Sequence, residues 1–343
     1  MTSLSPAKEP RVALIMVNWN GWRECIECMD SLLVQEYRNF HLFIVDNDSQ
    51  DASVESIAAW CACPTAEPGW ATLPGVLHYT DRPTGSIVYR SIDKIDAQYA
   101  AIADDCLVTL IRSGGNLGFA AGCNLGIKVA GLDEFKYFWL LNPDTVVHRS
   151  ALVELIARAQ SCDKFGMVGS TVLFYHRPDT LQALGGGRLN RSNATVAHIG
   201  EGWSSANIPR NGEAIERDLD FVFGASMLVA ARFIREVGFM QEDYFLYYEE
   251  LDWAMRGRGR FRLGFAPRSM VFHKSGANSS KALPLFSSGH FYRNRLRFVR
   301  RFLPDRMAAA KRRLFEEMLR HVARGRWRMA RLVWSTLLSE PKP

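Results

Sequence analysis

The 343-residue chain is 48% hydrophobic and 11% aromatic, which excludes a largely disordered protein and indicates one large domain or two smaller ones. No stretch approaches the roughly 18 apolar residues of a membrane span, and the polar N-terminus predicts no signal peptide. The net charge of +6 is uneven, since residues 290–343 hold 15 Lys and Arg against four Asp and Glu, whereas the rest holds 27 against 32. We therefore expect a cytoplasmic protein with a mildly acidic body and a basic tail that meets an anionic partner.

Three continuous apolar runs predict buried parallel strands, each ending in polar side chains; they are residues 11–20, 40–51 and 137–145. Helical spacing of apolar residues predicts helices within 21–37 and 52–60. The order β-α-β-α predicts an α/β fold with a mostly parallel sheet flanked by helices.

The following segments are less regular. Residues 61–110 predict a long excursion that ends in a strand near "CLVTLI", and residues 176–218 predict an irregular polar loop region. Between and after them, the sequence predicts a loop leading into a helix at 116–130, a helix at 151–160, a strand at 165–174, a strand running into a helix at 218–238, and basic helices in the tail.

The seven cysteines are odd in number and indicate reduced thiols. A zinc site formed by Cys25, Cys28, Cys61 and Cys63 is an alternative, although the spacing is imperfect and the first pair falls in a predicted helix.

Amides and carboxylates follow the three apolar strands. Ligands of open parallel sheets bind beyond the C-terminal ends of the strands. A single acid at a strand end is mostly turn chemistry, but three such ends in one sheet favour a binding site. The side chains concerned are Asn18, Asn20, Asp46, Asp48, Asn142 and Asp144.

A glycine-rich segment, "SGGNLGFAAGCNLGI", precedes a predicted helix. Glycine allows close approach of a ligand to the backbone, and a helix N-terminus favours phosphate. A flexible loop with a helix cap is the alternative. The segment lacks the G-x-G-x-x-G pattern, so a nicotinamide-dependent enzyme is not favoured.

An acid cluster, "YYEELDWAMR", places Glu249, Glu250 and Asp252 in the first turn of a predicted helix. Compensation of the helix dipole would explain acids there, but not the aromatic run before them. Adjacent carboxylates raise one another's pKa, which suits a general base.

Six segments in this order resemble the family 2 glycosyltransferases, which invert the anomeric centre and have the GT-A fold. They are "VALIMVNWNG", "FIVDNDSQD", the glycine-rich segment, "YFWLLNPDT", "FVFGASMLV" and "YFLYYEELDWAMR". The resemblance covers residues 11–275 and looks closest to the rhamnosyltransferase-like branch.

The resemblance implies a role for each group of residues. Asp46 would bind the base of a nucleotide-diphosphate sugar, and Glu250 would be the general base, with Glu249 in reserve. The full donor-binding set would be Asn18, Asn20, Asp46, Asp48, Gly115, Asn116, Asn124 and Asn142. The acceptor-binding pair would be Asp252 and Trp253, and anchoring of the helix or nearby loops is the alternative for Asp252.

The resemblance also implies a divalent cation, Mg²⁺ or Mn²⁺, on the donor diphosphate. The family often carries D-x-D where this chain has Asn142-Pro143-Asp144. Asp144 is therefore the main expected ligand, and His273 the second. A satisfied core histidine is the alternative for His273.

We thus expect a GT-A domain at residues 1–275 and a basic amphipathic helical tail at 276–343. The implied reaction moves a sugar, L-rhamnose from dTDP-rhamnose or a UDP- or GDP-linked sugar, to a lipid-linked or polysaccharide acceptor in cell-surface glycan synthesis. A non-catalytic nucleotide-sugar-binding scaffold protein is the rival, because Asn142 replaces an acid.

The tail has three interpretations. Basic amphipathic helices with Trp suit an anionic membrane surface, here the inner face of the cell membrane. Packing against the body, or against a second copy in a homo-oligomer, is the alternative. Nucleic acid is not favoured, because no nucleic-acid-binding motif accompanies the charge.

Overall fold

The computed structural model describes residues 9–64, 73, 85–94, 106–274 and 285–339. The first part alternates strands and helices as the apolar periodicity predicts. Its elements are β1 (Val12–Asn18), α1 (Trp22–Leu33), β2 (Phe40–Asp46), α2 (Ser53–Ala62), β3 (Tyr89–Asp93), β4 (Val108–Arg112), α3 (Gly118–Ala130) and β5 (Tyr137–Leu141).

The second part is richer in antiparallel strands and ends in three helices. Its elements are β6 (Thr145–Val147), α4 (Ala151–Gln160), β7 (Phe165–Phe174), β8 (Arg177–Leu184), β9 (Gly186–Asn190), β10 (Thr195–His198), α5 (Glu213–Asp218), β11 (Phe221–Val222), β12 (Ser226–Ala230), α6 (Ala231–Val237), α7 (Glu249–Gly257), β13 (Arg262–His273), α8 (Leu285–Phe302), α9 (Met307–Ala323) and α10 (Trp327–Leu338).

The central sheet has ten strands in the order β3-β4-β2-β1-β5-β12-β7-β13-β6, with β8 paired to β7. The five strands from β3 to β5 are parallel. β12 then runs antiparallel between β5 and β7. The expected mostly parallel sheet is therefore present, with one antiparallel strand inside it.

Both faces of the sheet are covered, which is why its strands read as continuous apolar runs. Along β1, Ala13 and Ile15 face a cluster shared with α3, α6, α7 and α8. Leu14 and Met16 face a second cluster shared with α1, α2 and α4. The alternation places the two helical layers on opposite sides of β1.

The prediction of an irregular loop at 176–218 was wrong. The segment contains β8, β9, β10 and α5, and β9 lies between β10 and β11 in a separate three-stranded antiparallel sheet. β9 begins with Gly186 and Gly187, which the packing requires, since a Cβ on Gly186 would lie 1.9 Å from the Phe221 carbonyl oxygen. These glycines conceal the strand pattern.

The expected tail joins the body closely. Leu296, Phe298 and Val299 of α8 are fully buried in the same cluster as α3 and α7. Packing against the body, one of the three interpretations, therefore holds for α8.

Of the expected 61–110 excursion, residues 65–72, 74–84 and 95–105 lie outside the described residues. The described parts supply the end of α2, β3 and the start of β4. Within the described ranges, no helix is long and apolar enough to cross a membrane.

Candidate functional site

The ends of the parallel strands meet at one edge of the sheet. Asn18, the last residue of β1, lies opposite Asp46, the last residue of β2. The Asn18 Nδ2 donates to Asp46 Oδ1 at 3.1 Å, and β5 lies on the other side of β1. The expected convergence of these strand ends is present.

Asp46 also shapes the turn that follows it. Its carboxylate accepts from the backbone N–H of Ser49 at 3.1 Å and from the Ser49 hydroxyl at 2.6 Å. Asp48 in this turn and Asn20 in the turn after β1 have positive φ, and the Asn20 side chain accepts from the N–H of Gln50 at 2.7 Å, which joins the two turns. These contacts agree with the interpretation of the strand-end acid Asp46 as a turn residue. Nucleotide binding by Asn20, Asp46 and Asp48 stays a prediction.

Asn47, which the sequence reasoning did not select as a binding residue, joins the end of β2 to the glycine-rich segment. Its Nδ2 donates to Asn116 Oδ1 and to the Gly118 carbonyl, each at 3.1 Å, and its Oδ1 accepts from the N–H of Leu117. Asn116 in turn accepts from the N–H of Gly118. Gly115 is two residues from Ser113, whose hydroxyl donates to the Gly115 carbonyl. The predicted donor loop therefore lies beside Asp46.

Gly118 brings this loop against the segment before the acid cluster. It has a φ of +79°, and a Cβ there would lie 2.5 Å from the Phe245 carbonyl oxygen. That carbonyl accepts from the N–H of Phe119 at 2.7 Å. The two sequence motifs are thus in direct contact.

Asn124 faces other partners. It is 1% exposed, and its amide exchanges hydrogen bonds with the backbone of Met240 and donates to Glu242 Oε1. The side chain anchors α3 to residues 240–242. Donor binding by Asn124 is a prediction that these contacts do not support.

Asp144 and His273 are brought together by the pairing of β6 with β13, in which His273 lies opposite Thr145. The His273 Nε2 lies 3.2 Å from Asp144 Oδ1 and 3.4 Å from Asn142 Nδ2. Burial alone would raise the pKa of Asp144, but His273 and Lys274 reverse this, and the pKa is lowered. The carboxylate is therefore ionised at neutral pH.

The orientation of His273 fits a cation at this place. Its Nδ1 lies 3.0 Å from Gln182 Oε1, and an amide oxygen only accepts, so Nδ1 carries the proton. Nε2 then points toward Asp144 Oδ1. Two lone pairs at 3.2 Å repel unless a proton or a cation lies between them. An oxygen and an imidazole nitrogen suit Mg²⁺ or, better, Mn²⁺.

In the part of the chain that the structure describes, no third acidic, histidine or cysteine side chain joins the Asp144–His273 pair in a group that could hold a metal ion. Among the described residues, no group of three such side chains could hold a metal ion. An ion bound by Asp144 and His273 would therefore take its other ligands from a diphosphate and water. The same finding gives no support, among the described residues, to the alternative of a zinc site formed by cysteines. Cys25, Cys28 and Cys61 are buried free thiols in the core cluster around α1.

Glu249 and Glu250 open α7 as predicted. Burial raises the pKa of Glu250 to about 7, against backbone hydrogen bonds of Glu250 and Gly224 that lower it. Burial and the charge of Glu250 raise the pKa of Glu249. Glu249 is 2% exposed, whereas Glu250 is only partly buried and so is the better placed of the two to meet a substrate.

The turn between β11 and β12 connects the acid pair to the Asp144–His273 pair. The sequence analysis identified no functional residue in this turn. The Phe223 ring contacts the His273 ring at a centroid distance of 5.8 Å. The Ala225 carbonyl accepts from the N–H of Asn142. Gly224, between them, leaves room for Glu250, whose Oε1 would lie 2.4 Å from a Cβ at that position.

The expected acceptor-binding pair requires a correction. Asp252 and Trp253 are both 0% exposed. Asp252 accepts from Arg256, Arg301 and the Tyr244 hydroxyl, and Trp253 Nε1 donates to the Gly238 carbonyl. Because both are buried, they stabilise the fold behind the acids and do not contact an acceptor.

Comparison with known proteins supports the resemblance. Residues 13–75 match the sequence profile described as "Glycosyl transferase family 2". The chain is 26% identical over 151 residues to the low-salt glycan biosynthesis hexosyltransferase Agl10 of Haloferax volcanii, a match that covers 43% of this chain and 45% of the relative. The aligned region therefore spans less than half of that relative.

Solved structures share the architecture. The mannosyltransferase PcManGT of Pyrobaculum calidifontis, solved in complex with GDP-Man and Mn²⁺, superposes with a TM-score of 0.55 at 12% identity, covering 96% of this chain and 75% of the other. TarS of S. aureus is similar with a TM-score of 0.48 at 11% identity, covering 91% of this chain and 43% of the other. The PcManGT superposition confirms the GT-A-like fold expected from the motifs. The family 2 resemblance rests on the profile match at residues 13–75.

Proposed function

We propose that this chain is an inverting family 2 glycosyltransferase that moves a hexose from a nucleotide-diphosphate donor to a hydroxyl of a glycan acceptor. The observation that carries the proposal is the turn at 223–225, which contacts Asn142, His273 and Glu250 together. The Asp144–His273 pair and the Glu250 carboxyl group, whose pKa is raised, lie around this one short segment.

The donor would lie along the edge formed by the ends of β1, β2 and β4. Asp46 and Asp48 would contact its base and ribose, and the backbone around Gly115 and Asn116 its phosphates. Asp144 and His273 would hold a divalent cation, which supplies positive charge to the departing diphosphate when bound.

In the reaction, Glu250 accepts the proton of the acceptor hydroxyl while the hydroxyl oxygen attacks C1 of the donor sugar. The bond from C1 to the diphosphate oxygen breaks, and the nucleoside diphosphate leaves with the electron pair. A base with a pKa near the working pH suits this proton transfer. The partly exposed Glu250 is assigned this role, and burial of its carboxyl group keeps its pKa high.

The sugar and the acceptor form the finer part of the proposal. The "NPDT" and "GGNLGFAAGCN" segments favour a rhamnosyltransferase using dTDP-rhamnose, and a UDP- or GDP-linked sugar is the alternative. A glycan on a lipid carrier is the acceptor class that fits a protein held at a membrane surface.

The outer faces of the last two helices support that location. They expose Phe315, Leu319, Trp327, Trp334 and Leu338, each at 42% or more. Trp327, Trp334 and Leu338 recur at helical spacing along α10, and exposed arginines flank them. Trp with basic residues on one helix is typical of binding to anionic lipid surfaces.

A transfer assay with a donor panel tests the proposal. The chain would be incubated with dTDP-rhamnose and with UDP- and GDP-linked hexoses, in the presence of Mn²⁺ or of a chelator, and release of nucleoside diphosphate would be measured. We expect one donor to be turned over only when the metal is present. Tight donor binding by calorimetry without any turnover, on any acceptor or water, would favour the rival scaffold protein.

A further inference from the structure

Helix α8 lies against the segment that leads into the acid pair. We call residues 244–248 the aromatic turn, because four of the five are Phe or Tyr. α8 contacts it through the Asn294 side chain, which is 2% exposed, and through Arg295, whose Nε lies 3.3 Å from the Tyr248 hydroxyl. Both residues belong to the stretch that the charge pattern assigned to a peripheral tail.

The backbone of the aromatic turn is strained. Phe245, Tyr247 and Tyr248 have φ values of +58°, +71° and +76°. Bulky residues rarely adopt positive φ, and such conformations persist only where the surroundings hold them. Tyr248 is also the N-cap residue of α7, and no side chain caps that helix. The direction of the first turn of α7 therefore depends on the aromatic turn.

Asn294 is the side chain that holds this backbone. Its Nδ2 lies 2.5 Å from the Tyr244 carbonyl oxygen, 2.8 Å from that of Leu246 and 3.0 Å from that of Tyr247. Only a donor suits this place, because three carbonyl oxygens converge on one nitrogen. The amide is thus matched to a conformation that the chain would not adopt unaided.

We propose that Asn294 is a positioning residue that fixes where Glu250 stands relative to Gly224, and so determines the rate of proton transfer. The inference rests on the proposed function of Glu250 as the base. Asn294 touches neither the donor edge nor the Asp144–His273 pair among its described contacts. Although the aromatic turn also contacts the glycine-rich loop at Gly118, the effect should fall more on turnover than on donor affinity.

Two substitutions at 294 separate positioning from simple stabilisation. Asn294→Asp keeps the shape but replaces the donor with an acceptor that faces three carbonyls. Asn294→Ser keeps one donor in a smaller side chain and serves if the first variant does not fold. Arg293→Ala, on the exposed side of the same helix, is the matched control.

The measurements are kcat, KM, donor affinity by calorimetry and the pH profile of kcat. We expect kcat to fall about 10–100-fold in the Asn294 variants, because a misplacement of about 1 Å costs on the order of 10²-fold. Donor affinity should fall much less than kcat. The acid limb of the pH profile of kcat should move to higher pH, because the Gly224 backbone hydrogen bond that lowers the pKa of Glu250 would weaken. Arg293→Ala should behave as the parent.

Glu250→Gln, measured in parallel, distinguishes the two possible failures. If Glu250→Gln retains full transfer, the proposed base is wrong. If Glu250→Gln is inactive but a folded Asn294 variant keeps kcat and its pH profile, the positioning role is wrong. A loss of activity that only follows the folded fraction, with an unmoved acid limb, would also overturn it.

Discussion

At the scale of single residues, the site holds two kinds of carboxylate. Asp144 has a lowered pKa beside His273 and Lys274, and Glu250 has a pKa raised by burial to about 7. An ionised acid suits cation binding, and an acid that titrates near neutrality suits proton transfer. The two roles follow from surroundings, because the chemical group is the same.

The metal prediction concerns Asp144. In Asp144→Ala we expect metal-dependent transfer to disappear while the fold survives, because the ionised ligand of the pair is lost. Titration of activity with Mn²⁺, together with circular dichroism, checks this. Full activity of the variant, or of the parent in excess chelator, would contradict a metal role.

Gln182→Ala supplies a milder companion to that substitution. Gln182 holds the Nδ1 proton of His273 and does not itself face Asp144 in its described contacts. Loss of such a supporting contact costs about 10–100-fold in metal affinity. We expect the Mn²⁺ concentration for half activity to rise by that factor, with the saturated rate largely restored.

The pH prediction concerns Glu250. A base must be ionised, so kcat should be low below pH 6 and rise with pH to a plateau, with a midpoint near the pKa of about 7. Glu250→Gln should retain donor binding and lose turnover about 10²–10⁴-fold. A pH–rate profile with donor calorimetry checks both. If Glu249→Gln is the inactive variant, the base is one residue earlier.

At the scale of elements, the site is built by turns at strand and helix ends, and these differ in how visible they are in the sequence. The ends of β1, β2 and β5, and the acids opening α7, follow from apolar runs that stop at polar residues. The 223–225 turn and Asn294 do not, because their roles come from contacts between segments far apart in the chain, 26 residues for Gly224 and Glu250 and 47 or more for Asn294 and the aromatic turn. The acceptor-binding prediction for Asp252 and Trp253 fails for a related reason, because the burial of a side chain cannot be read from a local motif.

The element-scale prediction concerns Gly118, where the glycine-rich loop meets the aromatic turn. Gly118→Ala places a Cβ 2.5 Å from the Phe245 carbonyl, and the φ of +79° disfavours any side chain. We expect weaker donor binding and a lower kcat, because both neighbouring segments must move. Donor calorimetry and steady-state kinetics measure the two effects.

Gly202→Ala is the matched control for that substitution. Gly202 has a similar φ of +81°, but no atom lies within 4 Å of the added Cβ. It reports the cost of the backbone conformation alone. Equal losses in the two variants would mean that contact with the aromatic turn is unimportant.

At the scale of the whole molecule, the basic C-terminal helices have two different structural roles. α8 is part of the core and serves the aromatic turn, whereas α9 and α10 also present an exposed aromatic and basic surface. Composition predicts the helices and their charge, but it cannot say which face each helix buries. Within the basic amphipathic helical tail expected at 276–343, the described residues 285–339 form a largely buried helix followed by two partly exposed ones.

The membrane prediction concerns that exposed surface. Trp327→Ala combined with Trp334→Ala should weaken binding to phosphatidylglycerol vesicles at least about tenfold, since a large apolar side chain contributes on the order of 1.5–3 kcal/mol when buried. Binding should also fall as salt rises, because the basic residues are screened. Vesicle sedimentation measures both.

Trp203→Ala is the control, because Trp203 is 52% exposed but lies outside the helices. It should bind vesicles as the parent does. Equal binding of the parent to phosphatidylcholine vesicles would contradict an electrostatic contribution. Unchanged binding of the double variant would point instead to another surface of the protein.

The antiparallel position of β12 has a consequence for synthesis. β12 separates β5 from β7, yet it follows both in the chain, so neither of these strands has its β12 partner until residue 230 has been made. Unpaired strand edges invite association with other chains, and pairings between distant segments form slowly. A nascent chain stalled before β12 would therefore be prone to aggregate. Since Asp144 and His273 are 129 residues apart, the active centre would be completed only late in translation.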